Sequence, residues 1–197
     1  MKFLALLAVG FEETEAVTVI DLLSRAGFLI KIFSAIGTRS VIGAHGICLQ
    51  SDEILSKAID MKNVKPSRDD LYAEYDALFI PGGMKNVTAL SDSADVLDLI
   101  RFFYNANKYI NAICAAPLVL AAAGIMNGVK FTCYPGCENS IIQRGGVYLK
   151  DTVVHDKKII TSQGIGTAFS FALSLITLLK GTDAGRSVAE AALITDY

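Results

Sequence analysis

Apolar residues in this chain come in short unbroken runs separated by amphipathic stretches, a pattern that predicts buried strands alternating with helices. Lys2 to Val9 reads as a first strand, and Glu15 to Ala26 as a helix with Val17, Ile20, Leu22 and Leu23 on its apolar stripe and Gly27 as its stop. Phe28 to Ser34 is the next strand. Val41 to Leu49, with two glycines, reads as a hairpin or short edge element, and the polar stretch Ser51 to Asp70 as a surface excursion. Ala77 to Ile80 is a strand ended by Pro81-Gly82-Gly83, Ser93 to Ala106 a serine-capped helix, and Tyr109 to Ile113 a further strand. A helix from Ala116 to Ala123, short strands around Phe131, Val153 and Ile159, and a last strong helix from Thr167 to Lys180 complete the pattern. Strands apolar throughout, rather than alternating, predict an α/β sandwich with a mainly parallel central sheet, its active site at the carboxyl ends of the strands.

Length and composition narrow this reading. The 197 residues suit one domain spanning 1–197, and no repeat or linker divides them. Eighteen basic against twenty acidic residues give a net charge of −2, so no positive field draws nucleic acid or an anionic membrane. Four cysteines at positions 48, 114, 133 and 137 lack the density of a disulfide framework, which predicts a reducing, cytoplasmic setting. The N-terminal apolar run is short and meets acidic residues at once, so it reads as a strand rather than a signal peptide. Tyr109 to Met126 approaches membrane-spanning length, but Asn111, Pro117 and Gly124 interrupt it.

Cys114 follows an apolar strand and precedes a helix, with Ala115, Ala116 and Pro117 after it. A strand-to-helix elbow of this kind needs small neighbours and places free helix amides beside the sulfur, which predicts a depressed thiol pKa. An inert buried cysteine is the competing reading. The glycines of Pro81-Gly82-Gly83, ending the Ala77 to Ile80 strand, let a backbone amide face the same sheet edge and complete an oxyanion hole with the Ala115 amide; an ordinary tight turn is the competing reading. Glu12, Glu13 and Glu15 suit a first helical turn, yet one of them can approach Cys114 along that edge. Cys133 and Cys137 make only half of a zinc site, and the Gly164-Ile165-Gly166-Thr167 turn lacks the lysine of a phosphate loop, so no metal and no cofactor is expected.

Four segments now carry a resemblance: Phe11-Glu12-Glu13-Thr14-Glu15, Leu78-Phe79-Ile80-Pro81-Gly82-Gly83, Ala112-Ile113-Cys114-Ala115-Ala116-Pro117, and Thr161 to Thr167 followed by Phe169 and Phe171-Ala172-Leu173. In this order they resemble the ThiJ/PfpI superfamily, in the branch of the Parkinsonism-associated deglycase (DJ-one). The resemblance implies a flavodoxin-like three-layer sandwich and a homodimer. It makes Cys114 the reactive cysteine, Glu15 the carboxyl that touches it, and Gly83 with Ala115 the surrounding amides. Arg25 and the neighbourhood of His45 then fall near the dimer contact. Two departures stand out. Tyr134 occupies the position where many relatives carry a histidine, and Ala115 stands where the protease branch places one, which argues against peptidase activity. His45 is a candidate replacement for the missing base, while His155 reads as a solvated turn residue. The implied chemistry is cofactor-independent conversion of methylglyoxal or glyoxal, or repair of glycated groups, through a hemithioacetal at Cys114. The alternative is a redox-sensing or chaperone-like protective dimer in which Cys114 is oxidised to a sulfinate.

Overall fold

The structure, a computed structural model, describes residues 1–59 and 68–195. Its elements run β1 (Lys2–Leu7), α1 (Glu13–Arg25), β2 (Leu29–Ser34), β3 (Ser40–Ile42), β4 (Cys48–Gln50), β5 (Glu53–Ile54), α2 (Leu55–Ile59), α3 (Arg68–Ala73), β6 (Ala77–Ile80) and α4 (Met84–Ser91). They continue as α5 (Ala94–Asn105), β7 (Tyr109–Ile113), α6 (Pro117–Ala122), β8 (Lys130–Phe131), α7 (Glu138–Ile142), β9 (Val147–Tyr148), β10 (Val153–Asp156), β11 (Ile159–Ser162), α8 (Ala168–Lys180) and α9 (Thr182–Ala191).

Seven strands form the central sheet in the order β10-β11-β7-β6-β1-β2-β5, parallel except for β10. Both faces are covered, which is why its strands are apolar throughout. From β1, Leu4 and Leu6 pack on one face with α4, α5 and α6, while Phe3 and Ala5 pack on the other with α1, α8 and α9. This is the expected three-layer α/β sandwich. The strand order reverses between β1 and β6, so the loops after these strands diverge and leave a crevice at their carboxyl ends.

Several local expectations are revised. The polar stretch Ser51 to Asp70 is not wholly a surface excursion: Ile54 and Leu55 are buried, on β5 and α2, and the rest of it lies partly outside the described residues. Helix α9 follows the helix read as the last, and α4 fills a segment to which the pattern assigned nothing. In α1 the buried face consists of Glu13, Glu15, Ala16, Val19, Leu22 and Leu23, whereas Val17 is exposed. Two carboxylates therefore occupy core-facing positions. Ser93 caps α5 as expected, its Oγ accepting from the Val96 N–H at 3.4 Å.

Candidate active site

The loops after β1, β6, β7 and β11 converge over the crevice and line a cavity of about 550 Å³. Cys114, Glu15, Gly83, Ala115, Tyr134 and His45 all line it, and Arg25 does not.

Cys114 directly follows β7 with φ at +65°, a left-handed conformation that residues bearing a side chain rarely adopt. Its backbone is held on both sides: its N–H donates to the Ser162 carbonyl at 3.0 Å, and its carbonyl accepts from the Tyr134 N–H at 2.8 Å. The second of these bonds also brings Tyr134 to the cavity. Close packing leaves no room for a side chain opposite the sulfur. A Cβ on Gly82 would lie 2.5 Å from the Cys114 Cβ and 2.7 Å from Glu15 Oε2.

Glu15 is fully buried. Its Oε2 accepts from the Gly82 N–H at 2.8 Å, while Oε1 is buried with no hydrogen bond. Burial pushes the Glu15 carboxyl up to about 7 against the pull of the Gly82 amide. Burial, then the facing Glu15 charge, also pushes the Cys114 thiol up to about 12, although the backbone amides of Ala115 and Gly83 favour the thiolate. The sequence expectation of a depressed thiol pKa is therefore reversed. A helix start is only one influence, and enclosure outweighs it. The two elevations describe one coupled pair. Once Glu15 holds the proton, its charge no longer opposes the thiolate, although burial still does. The contact between the two side chains lets a proton pass between Glu15 and Cys114.

Glu13 points to the loop between β3 and β4. Its Oε1 accepts from the backbone N–H of His45 at 2.6 Å and of Ile47 at 3.4 Å, and its Oε2 lies 3.0 Å from His45 Nδ1. Burial disfavours its charge, but the His45 ring and these amides outweigh burial and hold the carboxyl down to about 2. A Cβ on Gly43 would lie 2.3 Å from the same carboxylate, so this clasp requires glycine there. Glu12, Glu13 and His45 bring their donor atoms within 4.8 Å of one another. With Oε1 on the loop amides and Oε2 on the His45 ring, Glu13 clasps this loop to α1. Cys133 and Cys137 are buried in the core next to each other.

The Gly164 to Thr167 turn, which the sequence marked only as unlike a phosphate loop, walls the cavity. Thr167 Oγ1 organises it, accepting from the N–H groups of Gln163 at 3.2 Å and Gly164 at 3.0 Å. A Cβ on Gly164 would stand 3.9 Å from Cys114 Sγ. Arg25 pairs with Asp21 at 2.6 Å on an exposed face of α1, beside Val17 and Phe169 and away from the cavity.

The chain is similar to known proteins over nearly its whole length. The DJ-1/PfpI family matches residues 1–178. Protein dj-1beta of Drosophila melanogaster is 32% identical over 191 residues, covering 97% of this chain and 96% of the relative. Glutathione-independent glyoxalase DJR-1.2 of Caenorhabditis elegans is 32% identical over 177 residues, covering 90% and 87%. The crystal structure of Drosophila melanogaster DJ-1beta superimposes with a TM-score of 0.87, covering 99% of this chain and 98% of that one.

Proposed function

This chain belongs to the DJ-1/PfpI family, and we propose that it is a cysteine-dependent glyoxalase that converts methylglyoxal or glyoxal to the hydroxy acid. The observation that carries the reading is the buried Glu15 beside Cys114, with the amides of Gly83 and Ala115 around the sulfur. The name of the Caenorhabditis elegans relative supports the reaction type.

The sulfur adds to the aldehyde carbon of methylglyoxal, and the oxygen formed there is held by the Gly83 and Ala115 amides as the hemithioacetal forms. Glu15 takes up the thiol proton and then moves protons through an enediol. A proton leaves the former aldehyde carbon and another arrives at the neighbouring carbon, giving a lactoyl thioester. Water cleaves the thioester, and the sum is methylglyoxal plus water giving lactate and a proton. Glycated groups carry the same carbonyl chemistry and fit the same first step. The four free cysteines suit a reducing compartment such as the cytoplasm.

Tyr134 lines the cavity beside Cys114, where a phenol is a poorer proton carrier than imidazole at neutral pH. Turnover is expected to be slow. Tyr134→His should raise lactate formation by about tenfold or more, because a positioned acid–base group is commonly worth about a hundredfold. An unchanged or lower rate would show that Tyr134 stands outside the proton path.

A second reading is redox sensing, favoured by the orphaned Glu15 Oε1 beside the sulfur. Peroxide would oxidise Cys114 to a sulfinate, an anion that the same amides stabilise and to which a protonated Glu15 could donate. The exposed apolar side chains Val17 and Phe169 beside Arg25 also support a homodimer through α1. Light scattering at micromolar concentration should give twice the chain mass, and a monomer would remove this contact.

A further inference from the structure

His45 lines the same cavity as Glu15 and Cys114 and has no part in the steps given above. His45 sits at the open side of the cavity with its side chain 69% exposed, whereas Cys114 and Glu15 lie at its floor. Its orientation is fixed from behind by a carboxylate that can only accept. Glu13 is ionised, so the 3.0 Å contact to Oε2 requires that His45 Nδ1 carry the hydrogen. In the neutral imidazole the lone pair is then on Nε2, which has no hydrogen-bond partner among the described residues. The backbone of His45 is pinned by the same Glu13. A carboxylate that orients one ring nitrogen while the other stays open is the arrangement of a general base.

We propose that His45, oriented by Glu13, activates the water that releases the acyl group from Cys114. The inference rests on the covalent cysteine chemistry proposed above and adds the base for its last step. Nε2 takes a proton from water as the oxygen adds to the thioester carbonyl carbon. The resulting oxyanion is held by the Gly83 and Ala115 amides. It collapses with cleavage of the C–S bond, the electron pair staying on sulfur, and the proton on Nε2 returns to the sulfur or to solvent. Glu13 is a positioning residue and His45 the catalytic one. The other titratable groups facing His45 are Glu12, whose Oε1 lies 3.8 Å from Nδ1, and, across the cavity, Glu15, Cys114 and Tyr134. The Glu13 contact, followed by the charges of Glu12 and Glu13, raises the imidazole pKa, so the base form is lost as pH falls through a midpoint above the ordinary histidine value.

The test uses p-nitrophenyl acetate, which acylates a reactive thiol without any isomerisation. Wild type is expected to show a burst of p-nitrophenol followed by steady turnover. His45→Ala should keep the burst and slow the steady phase about a hundredfold, with acetyl-Cys114 accumulating in peptide mass spectra. Glu13→Gln should slow it less and move the pH midpoint of deacetylation downward, a shift that mere loosening of the loop would not produce. Wild-type deacetylation by His45→Ala, or no acetyl group on Cys114, would overturn the proposal. His45-dependent deacetylation in a protein that makes no lactate would support it and refute the glyoxalase reading alone.

Discussion

Gly83→Ala is expected to destabilise the chain by about 3 kcal/mol or more and to lower Tm by roughly 10 °C. Gly83 has φ +88° and ψ 115°, outside the regions open to an L side chain. Its new Cβ would stand 2.1 Å from the Gly10 carbonyl oxygen and 2.8 Å from the Glu12 nitrogen, both backbone atoms of the loop that leads into α1 and so to Glu15. Neither can move without opening the contact between the loops after β1 and β6. The same substitution should abolish lactate formation, because it displaces an amide that faces the sulfur. Gly166→Ala is the control on the same cavity wall. Nothing lies within 4 Å of its Cβ and its φ is not positive, so its Tm should stay within about 2 °C of wild type. Calorimetry of the two variants reads both outcomes, and an unchanged Tm in Gly83→Ala would refute the packing of the two loops.

Glu15→Gln should cost about a hundredfold or more in lactate formation and change the shape of its pH profile. In wild type the Glu15–Cys114 pair holds two protons at low pH and loses the first near 7, so activity should rise with pH through about 7. The variant lacks that step. Stability follows the same group with the opposite sign. The folded carboxyl titrates near 7 against an ordinary 4.5, so folded protein retains a proton that the unfolded chain has lost, and stability falls as pH rises across that window. Glu15→Gln should flatten this decline in a series of melting curves. Under peroxide the variant should also accumulate less Cys114 sulfinate, having lost the acid that could donate to it. A variant with the wild-type pH profile and sulfinate yield would show that Glu15 does not share the proton.

The sheet was legible because its strands are buried on both faces and must be apolar throughout, and the glycine turn and the elbow stand out at their ends. Helices α4 and α9 were hidden for physical reasons. The buried face of α4 carries Asn86 alongside Val87 and Leu90, and that amide donates to the carbonyls of Pro81 and Gly82 and accepts from the Ala8 N–H. The packed face of α9 is Gly185, Val188 and Ala189, with Gly185 pressed against Thr177 of α8, so it shows little apolar stripe. Glu15 had a signal that went unused: it falls in helical register with Ala16, Val19, Leu22 and Leu23, an acid on a core-facing stripe. The balance of the thiol pKa was not readable, because it depends on how completely four loops enclose the sulfur. Nor was the clasp between Glu13 and His45, which joins residues 32 positions apart through a hairpin that no local pattern orients.

The central claim is that Cys114 processes a dicarbonyl covalently through an enediol, and the direct measurement is methylglyoxal turnover in heavy water, wild type beside Cys114→Ala. An enediol takes its new C2 hydrogen from solvent, so wild type should yield lactate carrying deuterium at C2 while Cys114→Ala yields none above the protein-free blank. No lactate from wild type above that blank, or equal lactate from Cys114→Ala, or lactate without deuterium as a direct hydride shift would leave it, would contradict the account.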